Sequence, residues 1–154
     1  MNFKVIKCNY EDALSANLLL TKLIVDEKQY DENINEMCVV KSLYEKFYDN
    51  EDICLYAAKY QNKIIGYIYG YIQNNGDAKK NIVCTLDALY VLEEYRNKGV
   101  ATELVNSFIK WSSNKGAHYI DLKVCNLNKE AINLYKKFDF LETKTIMTRN
   151  MEEL

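Results

Sequence analysis

Proline is missing from this 154-residue chain, and histidine occurs once, at His118. Without proline-rich or low-complexity stretches, nothing marks a linker or a domain boundary, and a single domain over 1–154 is expected. One histidine and five scattered cysteines, at 8, 38, 54, 84 and 125, contain no Cys-x-x-Cys pair and no zinc spacing. A Cys–His pair can be drawn only as Cys125 with His118. If 118–125 is one strand, the two point to opposite faces, so reduced, buried thiols are the reading adopted. Basic excess is also missing: 20 Lys and Arg stand against 22 Asp and Glu, a formal charge of −2 that argues against a nucleic-acid surface. No apolar run approaches the length of a membrane span or a signal peptide core, which predicts a cytoplasmic protein with no membrane partner.

What is present is a globular composition, 49% apolar and 27% charged. "FKVIKC" (3–8) reads as a strand and 10–25 as a helix, with Asp12 near its start. The polar, acidic 26–37 reads as a loop, and 38–48 as a second helix. "ICLYAAKY" (53–60) and "KIIGYIYGYI" (63–72) flank Gln61–Asn62, a hairpin signal. Strand 81–91 is too continuously apolar for an edge and is placed centrally. A helix over 99–115, a strand over 119–124, a helix over 128–138 and a closing strand over 140–149 complete the order β-α-α-β-β-β-α-β-α-β. That order predicts an α/β fold with a mixed sheet flanked by helices.

The stretch "LEEYRNKGVATELV" (92–105) joins the central strand to a helix through Arg96, Lys98 and Gly99. Gly99 permits backbone angles that a Cβ would block. The first N–H groups of the helix have no partner within it and carry partial positive charge. Strand, glycine turn and helix is a layout that binds phosphate, although neither G-x-x-x-x-G-K-[ST] nor G-x-G-x-x-G is present. Alone, the turn reads better as a solvated basic turn with Gly99 starting a helix.

"LDALYVLEEYRNKGVATELV" followed by "IDLKVCNLNKEAINLYKKFDF" resembles the GNAT superfamily of acetyl-CoA-dependent N-acetyltransferases. Arg96, Gly99 and Ala101 match its [RQ]-x-x-G-x-[GA] pattern. Asn128, Ala131, Leu134, Tyr135, Lys137 and Phe140 match N-x-x-A-x-x-L-Y-x-K-x-G-F, with Asp139 where the family has glycine. The resemblance implies that acetyl-CoA is bound by backbone groups of Leu89, Tyr90 and Val91 along the pantetheine arm. It implies that the amides of Arg96, Asn97, Lys98, Gly99, Val100, Ala101 and Thr102 cradle the pyrophosphate, that Asn128 holds the arm, and that Tyr135 lies near the sulfur. Asn128 also reads as a helix N-cap and Tyr135 as a core residue.

Acetyl transfer to an amine needs a base, because an alkyl ammonium with a pKa of about 10.4 is not nucleophilic at neutral pH. It also needs oxyanion donors, which backbone N–H groups of 81–91 can supply, and an acid for the leaving thiolate, for which Tyr135 is the candidate. Asp87, inside "IVCTLDALYV", must have a partner or face a cavity. It reads as a base, as an anchor for a cationic substrate, or as a structural Asp. Acids at 26, 27, 31, 32 and 36 would give the acceptor side a negative rim. Tyr67, Tyr69 and Tyr71 share a strand face and are placed under a helix. The expected function is acetyl transfer to a primary amine of a small molecule, a polyamine, an aminoglycoside-like compound or an amino acid, by direct attack in a ternary complex. The alternatives are a non-catalytic acyl-CoA-binding domain and a protein N-terminal or lysine acetyltransferase. An exposed closing strand could pair across a homodimer.

Overall fold

The computed structural model describes residues 1–152. The chain forms β1 (Lys4–Lys7), α1 (Tyr10–Glu27), β2 (Ile53–Tyr60), β3 (Lys63–Ile72), β4 (Val83–Val91), α2 (Val100–Asn114), β5 (Tyr119–Leu122) and α3 (Lys129–Lys136). Among the described residues the strands make one sheet in chain order, antiparallel from β1 to β4 and parallel between β4 and β5. The mixed sheet flanked by helices is the α/β architecture expected from the sequence.

Local chemistry accounts for the boundaries. Asn9 and Asp12 form a reciprocal capping box at the start of α1. Gln61 and Asn62 both take positive φ, 46° and 64°, as a primed two-residue hairpin turn requires. Ala13, Ala16 and Leu19 of α1 pack with Tyr44, Tyr67, Ala88 and Tyr90, while Val100, Leu104, Val105 and Phe108 of α2 pack with Leu86 and Val91. A Cβ on Gly70 would collide with the Thr85 carbonyl and the Phe108 ring, so glycine is what lets α2 sit this close to β3. Cys8, Cys54 and Cys84 are buried, whereas Cys125 is exposed and donates to the Tyr30 carbonyl. None of the described helices is long and apolar enough to cross a membrane.

Two expected elements do not form. Residues 38–48 are irregular apart from one 3-10 turn, Tyr44–Lys46. Side chains of α1 capture the backbone N–H groups that a helix would use: Thr21 Oγ1 accepts from Val40 N and Asn17 Oδ1 from Tyr44 N. Asn17 Nδ2 also donates to Glu45, and the buried Tyr44 ring packs on Tyr67 and Tyr69. The tyrosine row is therefore covered by this segment as well as by α1. The second correction concerns 140–149, which joins no ladder. Leu141 and Met147 fall on one strand face and Phe140 and Ile146 on the other, with Glu142, Thr143, Lys144 and Thr145 between them. No apolar face exists to bury, and Leu141, Ile146 and Met147 stay exposed.

Candidate active site

The central feature is an irregularity in β4. Tyr69 pairs with Ala88 but Gly70 pairs with Leu86, so Asp87 is an extra residue with no partner in β3. Side-chain alternation resets there. Cys84 and Leu86 pack toward α2, Ala88 and Tyr90 toward α1, and Leu89 and Val91 toward α2 again. Asp87 thus lies on the α1 side of the sheet. Its carboxylate has no hydrogen bond or ion pair among the described residues, and the residue is exposed.

β4 also outruns its other neighbour. Pairing with β5 runs from Val83–Tyr119 to Leu86–Leu122 and stops, while β4 continues to Val91. Leu92 N donates to Ile65 O, which by antiparallel alternation turns the peptide groups of Tyr90 toward β3 and those of Leu89 and Val91 toward the gap left by β5. Of the three residues named from the sequence, only Leu89 and Val91 present open backbone groups. The Val91 carbonyl already accepts from Arg96 Nε at 3.0 Å, which leaves its N–H.

The loop after β4 ends in left-handed backbone at Asn97 (φ 58°) and Gly99 (φ 83°). Nothing lies near the missing Cβ of Gly99, so the backbone angle, not space, is what requires glycine there. The N–H groups from Asn97 to Thr102 have no acceptor among the described residues; the first internal bond of the turn is Glu103 N to Gly99 O. These six consecutive amides lie at the positive end of α2. The two basic side chains are occupied elsewhere. Arg96 Nη2 donates to Asp26 Oδ2 at 3.1 Å with its guanidinium over the Tyr90 ring, and Lys98 Nζ donates to the Glu94 carbonyl at 2.7 Å.

Asn128 caps α3 through a hydrogen bond from Ala131 N to its Oδ1, at 3.1 Å. Asp139 takes φ 62° after α3, the left-handed conformation that glycine adopts most readily, and Phe140 N closes onto the Tyr135 carbonyl at 3.2 Å. This turn brings the Phe140 ring edge-on to Tyr135, 5.7 Å between centroids.

The description of the acetyltransferase (GNAT) family matches residues 20–140, most of the chain. The chain belongs to that family. It is 32% identical over 73 residues to a thialysine N-epsilon-acetyltransferase of Mus musculus, covering 47% of this chain and 42% of that protein. It is 32% identical over 100 residues to an N-alpha-acetyltransferase of Saccharolobus solfataricus, covering 61% and 60%. The chain therefore spans about half the length of the curated relatives it matches. An aminoglycoside acetyltransferase from an uncultured soil metagenomic sample superposes with a TM-score of 0.73 over 98% of this chain and 99% of that one, at 20% identity, which is a likeness of fold.

Within this GNAT chain several titratable groups around the β4 bulge are shifted together. Asp87 and Glu27 keep more than a third of their surface open, yet partial desolvation is the main cause that raises both carboxyls. Lys123 opposes the rise at Asp87, whereas Asp31 and Asp87 add to it at Glu27, the last residue of α1. Burial pushes the Tyr135 hydroxyl up to about 12, with Glu27 contributing. It likewise pushes Tyr69 up to about 12, with Asp87 next in weight. Asp87 and Tyr135, named from the sequence, and Glu27, seen there only as one acid of a polar loop, share this environment. No spacing rule ties position 27 to 87 or 135. Only the fold over of α1 does.

Proposed function

We propose that the protein is an N-acetyltransferase that moves the acetyl group of acetyl-CoA to a primary amine of a small molecule, by direct attack in a ternary complex. The observation that carries this reading is the row of six unpaired amides from Asn97 to Thr102 beside the open edge of β4. Those groups fit a pyrophosphate followed by an amide-bearing arm. The amides at the head of α2 would hold the diphosphate. The open groups of Leu89 and Val91 would pair with the arm as an added strand does. Asn128 keeps its Nδ2 free to donate while its Oδ1 caps α3.

Bound acetyl-CoA supplies an acyl group activated as a thioester. The remaining chemistry belongs to side chains of this chain. Asp87 takes the proton of the acceptor ammonium, directly or through water; its raised pKa makes it a better base than an ordinary aspartate. An open N–H of β4 beyond the bulge steadies the developing oxyanion. Tyr135 stays a phenol at neutral pH and gives its proton to the departing thiolate. The segment 140–149, with Leu141, Ile146 and Met147 exposed, is the proposed contact for a second copy.

A panel of primary amines assayed for acceptor-dependent release of free thiol from acetyl-CoA tests the reading. Turnover with one class of amine is the expected result. Acetyl-CoA binding without turnover on any amine would instead favour a non-catalytic acyl-CoA-binding domain.

A further inference from the structure

On the opposite face of the sheet from Asp87, a groove of about 310 Å³ runs between the β1 edge and the C-terminal half of α2. Small-ligand sites begin at about this size, roughly 300 Å³. Among the described residues no strand lies beyond β1, so the angle between the sheet edge and the helix stays unfilled. Ser107, Lys110, Trp111 and Asn114 follow one another at helical spacing and give α2 a single face toward the groove. Val5, Lys7 and Tyr56 line it from the sheet, with Lys7 directly opposite Tyr56 in the register.

The polar groups of this groove are nearly all donors. Lys7 and Lys110 have no carboxylate partner among the described residues, and no acidic residue lines the groove. Ser107 spends its hydroxyl on the Glu103 carbonyl. Trp111 is only 8% exposed, yet its indole N–H has no acceptor among the described residues. A buried indole N–H usually finds one. The nitrogen is not sealed in the core, where Ser112 Oγ is the fully enclosed polar atom without a partner, so an acceptor can reach it from the groove that Trp111 lines. The chain as a whole carries −2, which makes this paired positive charge a local feature. Val5 and the rings of Tyr56 and Trp111 add an apolar wall, since all three pack on the α2 core.

We infer that this groove is a second ligand site, for a small carboxylate with a flat apolar body. Lys7 and Lys110 hold the carboxylate, which accepts from the Trp111 N–H, and the ring lies along Val5 and Tyr56. An amine is repelled by the same lysines. The site stands apart from acetyl transfer, because β2 and β3 separate β1 from β4.

Trp111 is the single tryptophan of the chain, so its emission reports on the groove directly. The whole chain is titrated with phenylacetate, with the uncharged phenylacetamide and with acetate. Phenylacetate should change the emission saturably, and the amide and acetate should each bind about tenfold more weakly or worse. Lys7→Gln and Lys110→Gln alter exposed side chains; each should lower phenylacetate affinity about twofold to fivefold with the melting temperature kept. The absence of a saturable change overturns the site. Equal binding of phenylacetamide overturns the role of the two lysines, and equal binding of acetate overturns that of the apolar wall. Undiminished phenylacetate affinity in the double variant puts the acid elsewhere and overturns the assignment.

Discussion

Arg96 donates to Asp26 across 3.1 Å, so the basic turn before α2 is joined to the end of α1 by an ion pair. The guanidinium is used inside the protein, and the anion-binding capacity of the turn resides in its backbone. Arg96→Ala should therefore raise the KM for acetyl-CoA only a few-fold. Its stability cost should be about 1 kcal/mol or less, since both partners are more than one-third exposed. Denaturant titration and initial-rate kinetics check the two parts.

Gly99→Ala should do the reverse. It forces an L-residue to φ 83° and costs about 1–2 kcal/mol. Because it disturbs the amides at the head of α2, acetyl-CoA binding should weaken more than with Arg96→Ala. A binding titration of the two variants side by side measures this, and equal losses would contradict the backbone account.

Asp87→Asn should lower kcat by about 10²-fold or more while acetyl-CoA affinity is kept, if Asp87 is the base. The wild-type kcat/KM should rise with pH through a pKa above the usual aspartate range, because burial raises that of Asp87. Stability should move the other way. A carboxyl raised in the folded state favours folding while protonated, and that contribution is lost as pH rises through the folded pKa. Asp87→Asn should thus melt higher than the wild type near pH 7, with the difference vanishing below the ordinary carboxylate range. Melting curves at several pH values are sufficient to show it.

Tyr135→Phe keeps the ring against Phe140 and removes the hydroxyl. We expect kcat to fall by about 10²-fold, the lower end for loss of a general acid, with folding preserved. Chemistry and folding separate in kcat and the melting temperature.

Gly70→Ala tests the close approach of α2 to β3. The new methyl meets the Thr85 carbonyl and the Phe108 ring at once, so it should cost about 3 kcal/mol. Chemical denaturation should show it as a shift in midpoint.

The strands and helices that bury a face were legible in the sequence. The periodic run through Leu104, Val105 and Phe108 gave α2, and Gln61–Asn62 gave the hairpin. The backbone turn at Gly99 was also readable, because it rests on local chemistry. Residues 38–48 were misread because Thr21 and Asn17, 19 and 27 residues away from their partners, take the N–H groups that a local helix would need. A still longer separation, 70 residues, hid the engagement of Arg96 with Asp26. In 140–149 the composition suited a strand, but its apolar residues split between two faces and offer nothing to bury.

The one unpaired residue in β4 acts on the strand as a phase shift. Before it, even-numbered side chains face α2; after it, odd-numbered ones do. Removing Asp87 would set Leu86 and Ala88 opposite Gly70 and Tyr69 as consecutive pairs and leave every other side chain of β4 on the face it now has. The bulge is thus an insertion that the packing of the strand does not need: a single-codon deletion there should still fold, with Tyr90 against Asp26, and should lose the carboxylate alone.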